Sequence, residues 1–168
     1  MTGKQVEIEI RPFASRDLDC IVDLSLRAWA PVFSSVKASF DPELYEYFYP
    51  DWQAHQEKDV RRTCSSPDNK TWVATSDDRP VAFAAIRLSV EDKTGEIFMI
   101  AVDPDFQRRG ISRRLIDFVT GQMKAAGMEM CMLSTGADPG HEPARLAYER
   151  SGFKPWHSII YFKKLLDD

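Results

Sequence analysis

The sequence predicts a single α/β (α+β) domain in which amphipathic helices pack on a mixed central β-sheet. Three apolar segments in the middle of the chain are joined by short polar turns, which indicates an antiparallel meander. A strand, an amphipathic helix and another strand then follow in that order, which predicts a parallel pair joined by a right-handed crossover. The length of 168 residues suits one domain, so we expect a single domain over residues 1–168.

The composition disfavours several classes of protein. Hydrophobic residues make up 43% and charged residues 29%, as in soluble globular proteins. A net charge of -4 disfavours nucleic acid as a partner, because phosphate binding needs a basic surface. No segment approaches a signal peptide or the roughly 20 apolar residues of a membrane span, so we expect a cytoplasmic protein with no membrane contact. Cys20, Cys64 and Cys131 are scattered, which predicts reduced thiols and no metal site.

The amino-terminal half predicts one strand followed by helices. Residues 6–13 alternate apolar and polar side chains, as a half-buried strand does. A helix should follow Ser15 and stop at Pro31, and two shorter helices should follow between residues 32 and 64, with breaks set by Pro42 and Pro50. The first helix should face the core with Leu18, Ile21, Val22, Ser25, Ala28 and Trp29.

The carboxy-terminal half predicts the rest of the sheet. The meander strands are expected at residues 70–76, 79–90 and 94–102. A helix from Gly110 to Gly127 should carry an apolar stripe, with Gly127 as its carboxy-terminal cap. The remaining predicted elements are a strand at residues 129–135, a helix near 143–151 and a hairpin-like pair at 152–156 and 158–165.

A glycine between two arginine pairs, in VDPDFQRRGISRRL (residues 102–115), predicts an anion site. The first amides of a helix lack intrahelical partners and attract negative charge, and Gly110 leaves the backbone accessible. Ser112 can donate another hydrogen bond, and the positive charge comes from Arg108, Arg109, Arg113 and Arg114. The segment matches neither the P-loop nor the dinucleotide fingerprint. We therefore expect one polyanionic small molecule here.

Two motifs in this order resemble the GNAT superfamily of acyl-CoA-dependent N-acyltransferases. The turn is similar to the pyrophosphate loop of that family, with matches at Val102, Pro104, Gln107, Gly110 and Ser112. The segment ARLAYERSGF (residues 144–153) is similar to a second family motif, with matches at Ala144, Tyr148, Glu149, Gly152 and Phe153. The resemblance departs from the family at Ser112, usually a glycine or alanine, and at His141, where many members have asparagine.

The resemblance implies a GNAT fold and an N-acetyltransferase domain over residues 1–168. The fold implied has about seven strands and about four helices, with the fourth and fifth strands splayed around the cofactor. Acetyl-CoA would be the co-substrate and a small-molecule or peptide amine the acceptor, with a homodimer left open. The residues implied to bind the cofactor are Ile100, Ala101, Val102, Gln107, Arg108, Arg109, Gly110, Ile111, Ser112 and His141.

The family's catalytic groups correspond to two residues of this sequence. Tyr148 stands where many relatives have the general acid that protonates the leaving thiolate. Glu96 stands where some relatives have the base that takes the amine proton, with Asp138, His141 or a water chain as alternatives. The sequence has no nucleophile motif, which favours direct attack without a covalent enzyme intermediate.

The segment from Phe33 to Trp52 is expected to line the acceptor site. It gathers seven aromatic residues and also Asp41, Glu43, Glu46 and Asp51, which favour a cationic amine unless they form only a solvated face. Two other functions stay open: a non-catalytic acyl-CoA-binding sensor or interaction module, and a nucleotide-binding regulator. The last is less supported, because no motif that reads a base or ribose accompanies the turn.

Overall fold

A computed structural model describes residues 7–165 of the chain. Its strands are β1 (Glu9–Pro12), β2 (Lys70–Ser76), β3 (Arg79–Ser89), β4 (Thr94–Val102) and β5 (Met130–Met132). Its α-helices are α1 (Leu18–Ser39), α2 (Pro42–Phe48), α3 (Trp52–Ser65), α4 (Ile111–Ala125) and α5 (Glu142–Arg150). Val6, with which the predicted first strand begins, lies outside the described residues. None of the helices between residues 7 and 165 has the length and apolar character that crossing a membrane requires.

The sheet confirms the predicted antiparallel meander and the predicted parallel pair joined by a helix. Its strands lie in the order β1-β2-β3-β4-β5, with β1 to β4 antiparallel and β4 parallel to β5. Helix α4 makes the crossover between the two parallel strands. The mixed α/β class is therefore confirmed.

The expected number of about seven strands was slightly wrong. Within the described residues there are five strands and five α-helices. The hairpin-like pair at residues 152–156 and 158–165 forms no strand, and Trp156 is 94% exposed. A strand needs a neighbouring edge to supply hydrogen bonds, and β5 offers an edge of only three residues. An apolar run alone therefore did not produce the hairpin.

The sheet is buried on both faces. Alternate residues of β3 point in opposite directions: Ala84 and Ile86 join one apolar cluster with Leu115 of α4, while Phe83 joins the other with Leu24 of α1. Helix α3 completes the second layer through Val60. Because both faces are covered, the strands run as nearly continuous apolar segments.

Helix α1 continues through Pro31, so the prediction that this proline ends the helix was wrong. A proline inside a helix removes one backbone hydrogen bond and costs about 3 kcal/mol. Contacts beyond the proline offset this loss, because buried Phe33 stacks on Trp52 at 4.6 Å and meets Tyr49 edge-on at 5.3 Å. These partners are distant in sequence, so local propensity does not reveal them.

Two buried aspartates anchor the first elements: Asp17 ties the turn before α1 to β1, and Asp103 ties α1 to the turn after β4. Asp17 accepts two hydrogen bonds from Arg11 at 2.8 and 2.9 Å, and Asp103 accepts two from Arg27 at 2.9 and 2.8 Å. In both cases the arginine lowers the carboxyl pKa more than burial raises it. A carboxyl with a lowered folded-state pKa stabilises the fold above its unfolded-state pKa of about 3.9, and this contribution is lost as pH falls through the folded value.

We expect Asp103→Asn to reduce the free energy of unfolding at neutral pH by about 2 kcal/mol, less than the roughly 3–5 kcal/mol of a fully buried pair. The expected loss is smaller because the pair is only partly buried: the Asp103 side chain is 2% exposed, but the Arg27 side chain is 36% exposed. The variant should also lose less stability than the wild type between about pH 6 and about pH 3, because one titrating carboxyl is gone. Urea unfolding at each pH measures both effects.

Asp105→Asn is the matched control. Asp105 also faces Arg27, at 3.7 Å, but its side chain is 82% exposed. Its loss should change stability by less than about 0.5 kcal/mol. Equal effects of the two substitutions would contradict the assigned role of Asp103.

Candidate active site

Strands β4 and β5 pair over only three positions and then separate. The pairs are Thr94 with Met130, Gly95 with Cys131, and Glu96 with Met132. Strand β4 continues for six more residues, Ile97 to Val102, and among residues 7–165 no strand pairs with these residues on this side. The expected splay of these two strands is therefore present, and it leaves main-chain donors and acceptors of β4 unpaired.

A β-bulge lies where the separation begins. Ala85 of β3 pairs with Met99 and the next residue, Ile86, pairs with Ile97, so Phe98 has no opposite residue. A bulge bends a strand and increases its twist. This extra residue gives a physical reason for β4 to turn away from β5 immediately after Glu96.

The turn after β4 presents the start of α4. Gly110 has φ of +76° and is the N-cap of α4, with no side-chain cap. The first intrahelical bond runs from the Arg114 amide to the Gly110 carbonyl, so the amides of Ile111, Ser112 and Arg113 have no intrahelical acceptor. The Gln107 side chain donates to the Val102 carbonyl at 3.1 Å, which ties the turn to the end of β4. The geometry suits an anion.

Two of the four arginines in this segment have other partners. Arg114 donates to the Ile8 carbonyl at 2.8 Å, and Arg113 lies 3.8 Å from Asp117. Arg108 is exposed in the turn, and Arg109 is exposed beside the ring of Phe106. The positive charge at the turn therefore comes mainly from Arg108 and Arg109.

The loop after β5 holds a carboxylate and an imidazole in contact. The Nδ1 atom of His141 lies 2.5 Å from Oδ1 of Asp138. The Gly140 amide donates to Asp138 and to Ser35 of α1, at 3.0 and 2.8 Å. Burial raises the pKa of Asp138, but hydrogen bonds from His141 and Ser35 outweigh it and keep that pKa below its ordinary value.

Helix α1 contacts the chain on both sides of the gap. Arg27 binds Asp103 in the turn after β4, and Ser35 binds Gly140 in the loop after β5. Two parallel strands end at the same edge of a sheet, and their carboxyl ends are where open α/β sheets bind ligands. One helix thus orders both loops that border this edge.

The two predicted catalytic residues lie in different environments. Tyr148 of α5 is half-buried, and its ring meets Phe153 edge-on with centroids 6.2 Å apart. Burial raises the pKa of its phenol. Glu96 is half-buried at the last paired position of β4 and lies on the face opposite Gly95, which packs against Met123 of α4.

The acidic residues of the expected acceptor region already have partners. Asp41 caps α2 and Asp51 caps α3, through their side chains. Glu43 lies 3.1 Å from Lys164, and Glu46 lies 3.3 Å from Lys37. These contacts favour the solvated-face alternative over a patch reserved for a cationic amine.

The aromatic residues of the same region largely pack on one another. Tyr45 is buried and contacts Tyr49, whereas Tyr47 is exposed. Phe48 contacts Phe162 of the carboxy-terminal segment, with centroids 4.8 Å apart. The region thus forms an aromatic cluster with exposed members.

Three features of the site were missed by sequence reasoning. They are the bulge at Phe98, the buried Asp103 and the hydroxyl of Ser35. The partner of Asp103 is 76 positions away and the partner of Ser35 is 105 positions away, so no local pattern reveals them. An aspartate three residues before a histidine was the one local signal for the Asp138–His141 contact.

Comparison with known proteins places this geometry in a family. A family model described as acetyltransferase (GNAT) family matches residues 38–153. The [ribosomal protein bS18]-alanine N-acetyltransferase of Salmonella typhimurium is 38% identical over 79 residues, which cover 47% of this chain and 51% of that protein. The chain thus spans about half the length of this relative.

Two further relatives match nearly the whole chain. The S-(2-succino)cysteine N-acetyltransferase of Bacillus subtilis is 24% identical and covers 90% of this chain and 92% of its own length. A crystal structure of an aminoglycoside N-acetyltransferase in complex with CoA has a TM-score of 0.64 and 16% identity, and covers 99% of this chain and 100% of its own. That likeness concerns the fold. Because the family model spans the turn at Gly110 and the motif of α5, the chain belongs to the acetyltransferase (GNAT) family.

Proposed function

We propose that this chain is an acyl-CoA-dependent N-acetyltransferase that moves an acetyl group from acetyl-CoA to a primary amine by direct attack. The observation that carries the proposal is the gap between β4 and β5, which opens beside the free amides of α4. A gap in a sheet exposes backbone groups that an amide-containing ligand can pair with, and a helix amino terminus attracts phosphate.

The residues around the gap fit coenzyme A. The backbone of Ile100, Ala101 and Val102 would pair with the pantetheine amides, since no strand in the described part of the chain pairs with this part of β4 on the β5 side. The diphosphate would accept hydrogen bonds from the amides of Ile111 and Ser112. Gly110, Arg108 and Arg109 would complete the phosphate turn, while Gln107 holds it against β4.

The chemistry needs an acid for the leaving thiolate. The amine nitrogen attacks the thioester carbonyl carbon, a C–N bond forms, and the C–S bond breaks as its electron pair passes to sulfur. Tyr148 would donate its phenolic proton to that sulfur. Its raised pKa keeps the phenol protonated at neutral pH, as an acid requires.

The acceptor nitrogen must also lose protons, and Glu96 would take one, directly or through water. It stands where β4 and β5 begin to separate, at the inner end of the gap. Two of the three thiols are poorly suited to a competing covalent route, because burial raises the pKa of Cys64 and Cys131 to about 11. Protonated thiols are poor nucleophiles, which supports direct attack.

Calorimetry with acetyl-CoA followed by a thiol-release assay tests the proposal. We expect saturable binding, and CoA release that depends on an amine drawn from spermidine, alanine-terminated peptide, glucosamine and glutamate. The panel includes cationic and acidic acceptors, because the acidic residues near α2 have local partners and give no reason to exclude either. Binding without release would favour the sensor, and absence of binding would refute both functions.

We expect Gly110→Ala to weaken acetyl-CoA binding at least about tenfold, because a side chain at positive φ distorts the turn and covers its amides. Isothermal titration measures the change. Gly127→Ala is the matched control: its φ is +84°, and its substitution likewise meets no atom within 4 Å, but it lies at the other end of α4. Both variants should lose about 1 kcal/mol of stability, and equal loss of affinity in both would contradict the phosphate turn.

We expect Tyr148→Phe to lower kcat by about 100-fold and to leave the acetyl-CoA dissociation constant within about threefold of the wild type. The substitution removes the proton donor and keeps the ring that contacts Phe153. Steady-state kinetics and calorimetry separate the two quantities. A parallel loss of turnover and affinity would assign Tyr148 to packing instead.

A further inference from the structure

Glycines at two positions leave the space that the Asp138–His141 contact and its loop require. An added Cβ at Gly136 would overlap both the imidazole and the Asp138 carboxylate, and one at Gly140 would come within 2.6 Å of the Ser35 Cβ. Arg145 secures the loop by donating to the carbonyls of Gly136 and Asp138 at 2.7 and 2.9 Å. The sequence therefore leaves space for this pair and fixes the loop that carries it.

The contact determines which nitrogen of His141 is available. The Asp138 side chain is 1% exposed and accepts from Nδ1, so the proton of the neutral imidazole resides on Nδ1. The Nε2 atom then carries a lone pair, and it has no hydrogen-bond partner in the part of the chain that the structure describes. At 22% exposure the His141 side chain still reaches solvent. An imidazole held this way is a proton acceptor with a route to water.

The position of His141 places it near the proposed chemistry. It is the N-cap of α5, seven residues before Tyr148. Seven helical residues are two turns, so the two side chains share a face and stand about 10 Å apart along the axis. His141 also follows β5 on the edge where the gap opens, and its loop contacts α1.

We propose that His141 is a catalytic base that takes a proton from the acceptor ammonium as it enters, with Asp138 as its positioning residue. The inference rests on the proposed acetyltransferase function. An ammonium loses two protons on becoming an amide: one before its lone pair can attack and one after the C–N bond forms. One proton equivalent ends on the CoA thiol through Tyr148, and the other leaves to solvent. His141 takes the first proton where the acceptor enters the gap. Glu96 takes the second proton at the inner end of the gap.

His141→Asn tests the role with little disturbance of the loop. The asparagine amide nitrogen can replace Nδ1 as the donor to Asp138, while the basic Nε2 is lost. The probes are ethylamine, which is cationic at neutral pH, and trifluoroethylamine, which is largely neutral. We expect kcat/KM for ethylamine to fall about 100-fold and that for trifluoroethylamine to fall less than about threefold. Asp138→Asn should give the same selective loss, because it weakens the hold on the Nδ1–H tautomer.

His55→Asn is the matched control, because the Nε2 atom of His55 on α3 also contacts an aspartate, Asp59, at 3.2 Å. It should leave both rates unchanged. In His141→Ala, added imidazole should restore ethylamine turnover, which a purely structural loss would not allow. An equal loss for both amines, or no loss for either, would overturn the inference about His141. Turnover by the wild type would still support the acetyltransferase function in that case. Absence of wild-type turnover with these two amines and with every amine of the panel above would instead refute the function itself.

Discussion

The structure depends on helix α1 holding two loops on either side of a gap in the sheet. Strand β4 and the chain after β5 would otherwise gain stability by continuing to pair, because each unpaired backbone group must find another partner. Arg27 binds the loop after β4 through Asp103, and Ser35 binds the loop after β5 through Gly140. The helix keeps these strands apart with contacts made well outside the gap. Its passage through Pro31 matters for this reason, since the proline lies between the two contact residues.

The bulge at Phe98 makes this separation compatible with a continuous β4. The strand remains paired with β3 on one side through Val102, so its position in the sheet is secure. On the other side the bulge turns it from β5 directly after Glu96. The proposed cofactor contacts are then mainly backbone contacts, which many side chains permit. This accounts for a site whose short motifs are recognisable while overall identity to the similar folds stays low.

Sequence reasoning succeeded where local chemistry decides the structure. Strands β2 and β4 have the predicted bounds, because apolar runs between polar turns specify a meander locally. The start of α4 was also predicted correctly, since Gly110 supplies the positive φ that this turn needs.

The predictions that failed involve residues whose partners are distant in sequence. The stacking of Phe33 on Trp52 carries α1 past Pro31, and the edge of β5 is too short to order residues 158–165 as a strand. No local pattern marks Asp103, because its partner Arg27 lies 76 positions away in sequence.

The turn proposed to bind the cofactor and the imidazole proposed to accept a proton are separated in this fold, and α1 contacts the loops that carry both. The turn follows β4 and contains Asp103, while the imidazole follows β5 and contacts Asp138. Both carboxylates are buried, have lowered pKa values and lie in loops that α1 holds. Protonating either one would weaken a contact that borders the gap. As pH falls, the two loops should therefore lose their contacts before the apolar layers on the faces of the sheet unfold, because those layers contain few titrating groups.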